Sequence, residues 1–203
     1  MMSMIRKRRL KRMLDIFGAL VGLVVLSPVF LLTLLAVWMD DRSPIFYSQT
    51  RVGLNGRHFR ILKFRSMHRN ADEHLGRLAA DRSEDITFKM KHDPRVTRVG
   101  RIIRKLSIDE LPQLYNVLRG EMSLVGPRPA LPAEVARYTL AQRRRLEVKP
   151  GLTCLWQIKG RSDLNFEQQV AMDVEYISTH SLTTDISILA RTFIAVLGGR
   201  GAY

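Results

Sequence analysis

An α+β fold, mostly helical and monotopic in a membrane, is predicted by three observations. The first is an uncharged run from Ile16 to Met39, broken by Ser27 and Pro28 and flanked by cations at both ends. The second is a pair of β-rich segments, Ile45 to Val52 and His58 to Phe64, with Asn55-Gly56 between them. The third is a set of helical patterns in the rest of the chain, two of them near the C-terminus.

A run of this length can cross a hydrocarbon core, which takes about 20 residues as a helix. A spanning helix keeps its Lys and Arg on one flank. Here Arg6, Lys7, Arg8, Arg9, Lys11 and Arg12 precede the run, and Arg42, Arg51, Arg57, Arg60, Lys63 and Arg65 follow it. Both ends therefore prefer the same side, and the segment is expected to enter the membrane, turn and return. Pro28 supplies the turn, since it lacks an N–H and clashes with the preceding helical turn. The Ser27 hydroxyl can bond a freed backbone group where water is absent. A straight, kinked spanning helix is the commoner outcome for such runs, but the flanks oppose it. A cleaved signal peptide is disfavoured by the length of the run and the lack of a small-x-small site. The expected organisation is a basic segment with a re-entrant helix over 1–40 and a cytoplasmic catalytic domain over 41–203.

With 203 residues, one domain and one membrane segment account for the chain. The formal net charge of +14 calls for an anionic partner, and beside a membrane segment anionic inner-membrane lipids come before nucleic acid. The single cysteine, Cys154, has no partner for an internal disulfide, which fits a reducing compartment and a packed apolar role.

Asn55-Gly56 marks a hairpin between the two β segments. Arg69 to Ala80 reads as helix, Asp93 to Thr97 as a short extended piece, and Arg101 to Lys105 as the start of a basic helix. A helix is expected from Ile108 or Glu110 to Leu118, stopped by Gly120, and another from Ala133 to Val148, stopped by Pro150-Gly151. The last two run near Asn165 to Ser178 and Thr184 to Leu197. In the final one Ile186, Leu189, Phe193, Val196 and Leu197 form an apolar face. That face suits a core helix or one lying in the headgroup layer, with Arg191 and Arg200 leaning toward the latter.

Ser107-Ile108-Asp109-Glu110-Leu111-Pro112 carries the candidate chemistry. Ser-x-x-Glu is a capping box, so Ser107 and Glu110 have an ordinary structural reading. The company of Arg104 and Lys105 upstream, and of Gly126-Pro127-Arg128-Pro129 downstream, raises another. A carboxylate at a helix N-terminus is expected to have a lowered pKa and stay ionised, and that end also attracts phosphate. An ionised Asp beside a phosphate can attack it, provided Mg²⁺ and arginines neutralise the phosphoryl oxygens. Lys63 and Arg65, two apart on a strand, would point to one face and could clamp a diphosphate.

The series Ser27-Pro28, Lys63-Phe64-Arg65-Ser66-Met67, Asp93-Pro94-Arg95-Val96-Thr97 and Arg104 through Gln113 continues with Asn116-Val117-Leu118-Arg119-Gly120 and Met122 through Pro129. Lys149 through Thr153, Trp156-Gln157-Ile158, Gly160-Arg161 and Met172 through Tyr176 complete it. In this order the motifs resemble the bacterial sugar transferases, the monotopic phosphoglycosyl transferases that use polyprenyl phosphates. The resemblance implies transfer of a sugar 1-phosphate from a UDP-sugar to undecaprenyl phosphate at the cytoplasmic face of the bacterial inner membrane. It makes Asp109 the nucleophile and Glu110 its partner, with the two as candidate Mg²⁺ ligands and Glu110 serving either to position Mg²⁺ or to assist the acceptor. Arg128 and Arg104 become phosphate ligands, with Asp173 and Arg161 as further candidates. Larger family members carry an added N-terminal membrane domain, so the resemblance is to the minimal catalytic unit. Thr153 to Gln157 is worded more like the glucose or galactose 1-phosphate members than the acetamido-sugar members. A homo-oligomer is compatible with the sequence, which is silent on assembly. Two other functions compete: a nucleotide-sugar hydrolase using water at the same aspartyl intermediate, and a polybasic membrane adaptor.

Overall fold

The computed structural model describes residues 2–42, 44–69, 71, 93–160 and 163–198. Its secondary structure is mostly helical with two small sheets, in keeping with an α+β class. The helix expected over Arg69 to Ala80 falls almost wholly outside the described residues, as do Arg161 and Arg200.

Helix α1 (Met2–Val25) and helix α2 (Ser27–Asp41) meet at Leu26 with a bend of 61°. The break falls where the sequence places it. Pro28 lies in the first turn of α2, where its missing N–H is harmless, and Ser27 Oγ donates to the Val24 carbonyl at 2.8 Å. No single helix among the described residues is long and apolar enough to cross a membrane, though the bent pair together passes by length and composition. Phe17, Leu20, Val24, Val25, Leu31, Leu32 and Leu35 around the bend are exposed.

The polar end of α1 is committed to the body of the protein. Lys11 Nζ donates to Asp185 Oδ2 at 2.6 Å, and Arg12 donates to the carbonyls of Val117 and Leu118 at 2.6 and 2.7 Å. Buried Asp15 accepts from Ser123 Oγ and the Leu124 N–H. Lys11 and Arg12 therefore act differently from the plain flanking charges the sequence suggests. They satisfy buried acceptors, which would otherwise cost free energy.

Strands β1 (Phe46–Val52) and β2 (His58–Phe64) form the expected antiparallel hairpin. Asn55 and Gly56 take positive φ in its turn, the conformation that Asn and Gly tolerate best. Helix α3 (Arg98–Lys105) follows, capped by Thr97 Oγ1, and packs Ile103 against Val37 of α2 and Phe64 of β2. Helix α4 (Gln113–Arg119) ends at left-handed Gly120 as expected. Strand β3 (Ser123–Val125) pairs in parallel with β4 (Gly151–Thr153).

The single helix expected over Ala133 to Val148 is instead α5 (Pro132–Ala136), α6 (Leu140–Arg143) and a 3₁₀ turn over Arg144–Glu147. Thr139 and Gln142 form a capping box that starts α6 anew. Arg145 and Tyr138 turn inward to bond each other at 2.9 Å. Helix α7 (Leu155–Lys159), α8 (Phe166–Thr179, capped by Asn165) and α9 (Leu182–Gly198) complete the fold.

In α9 only part of the expected apolar face packs inward, Leu189 lying against the core while Ile186 and Phe193 do not. Asp185, Ile188 and Thr192 face the core, Thr192 Oγ1 lying 2.8 Å from Thr153 Oγ1, while Ile186, Phe193 and Ile194 are exposed. The main core joins Ala19 of α1, Leu114 and Val117 of α4, Leu124 and Val125 of β3, Tyr176 of α8 and Ile188 of α9.

Candidate active site

Asp109 and Glu110 lie in a 3₁₀ turn, Ile108–Glu110, between α3 and α4. The capping box expected for Ser107 and Glu110 does not form. Ser107 has φ 54°, its side chain makes no capping bond, and Pro112 holds the N-cap position of α4. Glu110 is drawn elsewhere: Lys63 Nζ donates to its Oε1 at 2.6 Å.

The tight turn separates the two carboxylates. Asp109 points inward and is 8% exposed, whereas Glu110 opens onto a pocket lined by Arg51, Ile61, Lys63, Gln113, Arg128, Pro129, Gly151, Leu152 and Gln157. Asn116, on α4, fixes the hairpin above this turn. Its Oδ1 accepts the Leu62 N–H at 3.0 Å and its Nδ2 donates to the Arg60 carbonyl at 2.8 Å. This holds β2 in register with α4 and so sets Lys63 over Glu110.

The electrostatics of the pair run opposite to the helix-terminus expectation for Asp109. Burial pushes its pKa up to about 6; the Lys63 ammonium opposes the shift and the Glu110 charge adds to it. Desolvation outweighs the helix end because the 3₁₀ turn seats the carboxyl inside the protein. Burial also works to raise Glu110, but Lys63 together with Arg128 and Arg51 more than reverses this and holds it below the usual carboxylate range. Two adjacent carboxylates with pKa values pushed apart are a recurring mark of a catalytic pair.

The Pro127-Arg128-Pro129 segment reaches the pocket because its neighbours hold it on both sides. Gly151 N donates to the Pro127 carbonyl at 2.9 Å, Val52 N to the Ala130 carbonyl at 2.9 Å and Arg51 Nη1 to the Pro129 carbonyl at 3.1 Å. Gly126 and Gly151 pass so closely that a Cβ on either would strike backbone. Arg128 lies 3.9 Å from Glu134, beyond hydrogen-bond reach, and Glu134 itself accepts the Leu131 N–H.

The structure brings Glu110, Lys63 and Arg128 together in the pocket; Asp109 does not line it, but Lys63, Glu110 and Arg104 lie within electrostatic range of Asp109, and the buried Nη1 of Arg104 is unbonded. It does not bring Arg65 into the pocket. Arg65 Nε donates to the Pro44 carbonyl at 2.8 Å and its guanidinium sits over Tyr47, so the expected Lys63–Arg65 clamp is not formed. Asp173 is buried behind the site, its Oδ2 2.7 Å from Arg145 Nη2. Burial raises it to about 6 against the pull of Arg145, and it does not line the pocket. Cys154 is buried as expected, and its thiol is pushed well up by burial.

Three pocket residues escape the sequence reading: Arg51, Gln113 and Gln157. A signal existed for two of them. The pairing of Arg51 with Phe59 and of Tyr47 with Lys63 puts Arg51 and Lys63 on the same hairpin face. Gln113 follows Glu110 by three residues, a spacing that shares a helical face.

No group of three His, Cys, Asp or Glu side chains suited to a metal occurs among the described residues. Mg²⁺, however, commonly takes only one or two carboxylates and completes its shell with substrate phosphate and water. Asp109 beside Glu110, whose Oε2 is not engaged by Lys63, fits that requirement.

Comparison with known proteins decides the family. The bacterial sugar transferase pattern matches residues 6–199. The chain belongs to the bacterial sugar transferase family. The resemblance seen in the motif series is thus borne out, and the protein is a transferase. It is similar to the exopolysaccharide production protein ExoY of Rhizobium meliloti, 46% identical over 198 residues, covering 95% of this chain and 88% of the relative. It is 45% identical to the undecaprenyl-phosphate galactose phosphotransferase of Salmonella typhimurium, over 97% of this chain and 42% of that protein. The UDP-glucose:undecaprenyl-phosphate glucose-1-phosphate transferase of Caulobacter vibrioides is 41% identical over 95% of this chain and 72% of its own length. The chain thus spans most of some sugar transferases and under half of others.

Proposed function

We propose that this sugar transferase moves a sugar 1-phosphate from a UDP-sugar to undecaprenyl phosphate through an aspartyl-phosphosugar intermediate, initiating a lipid-linked glycan. The observation that carries the reading is a buried Asp109 carboxyl with its pKa raised to about 6 beside a Glu110 held ionised, with Lys63 and Arg104 within electrostatic range of the first and Lys63 and Arg128 of the second. A carboxyl with a pKa about 6 is mostly ionised at pH 7 and poorly hydrated, which suits a nucleophile. Names of similar proteins that cite undecaprenyl phosphate and galactose or glucose transfer support the same substrates.

In the first half-reaction an Asp109 carboxylate oxygen attacks the β-phosphorus of the UDP-sugar. The bond from that phosphorus to the bridging oxygen breaks, and its electron pair leaves with UMP. In the second, an oxygen of the lipid phosphate attacks the same phosphorus and the Asp109 carboxylate departs. Lys63, Arg128 and Arg104 neutralise phosphoryl oxygens. Mg²⁺, held by Asp109 and Glu110 with substrate oxygens, would lower the repulsion between carboxylate and phosphate. Glu110, kept ionised by Lys63, is suited to that ligation. Transfer of radiolabel from UDP-[³H]glucose or UDP-[³H]galactose into an organic-soluble product, dependent on undecaprenyl phosphate and Mg²⁺, tests the assignment. Label released as free sugar phosphate would favour a hydrolase, and no turnover of any UDP-sugar would favour a polybasic adaptor.

The bent α1–α2 pair is read as a re-entrant membrane helix at the cytoplasmic face, with anionic lipids around exposed Arg8, Arg9 and Arg42. Single cysteines in place of Arg9 and Arg57, in a Cys154→Ser background, should both resist an impermeant thiol reagent applied from the periplasm. Labelling of either position would mean that the segment spans the bilayer. Replacing Ser27 and Pro28 with Ala and Leu should favour that spanning form, because the backbone bonds can then run through.

A further inference from the structure

Arg51 is 7% exposed, and burial together with the neighbouring Arg128 lowers its pKa to about 10. Its Nη atoms bond only neutral partners, the Pro129 carbonyl and Gln49 Oε1, and its Nε is buried without a partner. Gln113, 2% exposed, also has a buried Nε2 with no partner, and both side chains line the pocket. Lys63 is committed to Glu110, and Arg128 has only the Glu134 carboxylate at 3.9 Å, with no acceptor within hydrogen-bond distance among the described residues. Both guanidiniums thus lie within electrostatic range of Glu110 and Glu134, while the Arg51 Nε and Gln113 Nε2 donors are left without a partner among the described residues. Buried donors left unpaired are costly, and clustered guanidiniums with idle donors are the arrangement that recognises phosphate.

The position of this pocket selects among phosphates. Arg104, which does not line this pocket, belongs to α3, which is tied to α2 by the Ile103–Val37 contact and by Asp40 accepting the Val99 N–H at 3.0 Å. A phosphate carried on a lipid tail must approach along that membrane-linked side. The Arg51 pocket is walled by the hairpin, α4, the Pro129 segment, β4 and α7, with no residue from α1 or α2. Only a soluble ligand needs such an entrance.

We propose that Arg51 and Gln113, with Arg128, bind the nucleotide phosphate of the donor, the one that leaves as UMP, while Arg104 serves the lipid phosphate. This rests on the donor being a UDP-sugar. When the bridging P–O bond breaks, the electron pair adds charge to the UMP phosphate, and the Arg51–Gln113 donors face the oxygen on which it appears. No proton transfer is required for departure. The same contacts make UMP a product that dissociates slowly and competes with UDP-sugar.

The test is equilibrium binding of UMP and of uridine to the full chain in lipid nanodiscs, without acceptor. Wild type should bind UMP at least tenfold more tightly than uridine. Arg51→Gln and Gln113→Leu should each erase most of that preference, leaving uridine affinity unchanged, and Arg51→Lys should restore part of it. In turnover assays the Arg51→Gln enzyme should show a raised KM for the UDP-sugar and an unchanged KM for undecaprenyl phosphate. Arg104→Gln should reverse that pattern. Undiminished UMP preference in Arg51→Gln would overturn the proposal, and so would parallel loss of uridine, which would make Arg51 a support of the fold. Failure of the wild type to make lipid-linked product from any UDP-sugar would instead sink the donor assignment itself.

Discussion

Asp109→Asn protein incubated with UDP-sugar and Mg²⁺ is expected to release no UMP and to gain no sugar-phosphate mass, whereas wild type should release UMP up to one equivalent without any lipid. Asn keeps the size and most of the hydrogen bonding of Asp but has no ionised oxygen to attack phosphorus. The variant should also melt at a higher temperature. A carboxyl whose folded pKa is raised from 3.8 to about 6 favours folding only while protonated. That contribution is full below the unfolded pKa and is lost as pH rises through about 6. At pH 7 the native protein therefore carries the cost of an ionised buried carboxylate, on the order of 1–3 kcal/mol for a shift of this size. Removing the charge should return part of it, a common consequence of relieving a functional site. Loss of adduct with higher thermal stability would separate a chemical role from a structural one. An active Asp109→Asn enzyme, or lipid-linked product at the wild-type rate with no trappable adduct, would leave direct displacement between the two substrates as the better account.

The parts of this molecule that local chemistry dictates were legible in the chain. Asn55-Gly56 demanded a hairpin, Ser27-Pro28 a break, Gly120 a helix stop and Asn165 a helix start, and each lies where its residues place it. In each case one or two residues settle their own backbone. The failures share a different cause, the override of local preference by tertiary partners. Ser107 and Glu110 had the spacing of a capping box, but Lys63, 47 residues away in sequence, outbid the backbone N–H for Glu110. The helix over Ala133 to Val148 broke because Arg145 and Tyr138 turned inward, where Arg145 also meets Asp173.

In α9 the polar Asp185 is buried and Thr192 half-buried in preference to Phe193, since Lys11, Tyr176 and Thr153 supplied their hydrogen bonds. Hydrophobic pattern alone ranks such a face last, although a satisfied polar contact makes it packable. The candidate site divides along the same line. The motif residues Glu110, Lys63 and Arg128 converge in the pocket, whereas Arg51 was counted only among the flanking charges. Its inward course depends on the Pro129 carbonyl, an acceptor 78 residues later in the chain. The direction of the Asp109 pKa shift was misjudged for the same reason. Desolvation by the packed surroundings cannot be read from a helix-terminal position.

Lys63→Met should be nearly as damaging as loss of the nucleophile, and through a readable mechanism. The Lys63 ammonium is the largest influence opposing burial at both Asp109 and Glu110. It also makes the 2.6 Å bond to Glu110. Met matches the length and packing of the stem but leaves Glu110 without its counter-charge, so both carboxyls should take up protons more readily. In wild type the rate of adduct formation should rise with pH and level off above about 6, following ionisation of Asp109. In Lys63→Met that limb should move to higher pH by roughly 1–3 units, the usual effect of losing a close opposite charge. At pH 7 the rate should fall about 10²–10³-fold, combining the smaller ionised fraction with loss of a donor to the phosphoryl oxygens. Raising the pH to about 9 should recover the first part and not the second. Lys63→Arg should keep the wild-type pH limb, since charge is retained, while recovering rate incompletely because the planar guanidinium cannot reproduce the compact contact with Glu110. Stopped-flow measurement of UMP release between pH 5 and about 9 distinguishes these components. A Lys63→Met profile that is lowered but not displaced would mean that Lys63 acts on the substrate alone, and that the ionisation of the Asp109–Glu110 pair is governed from the Arg104 and Arg128 side.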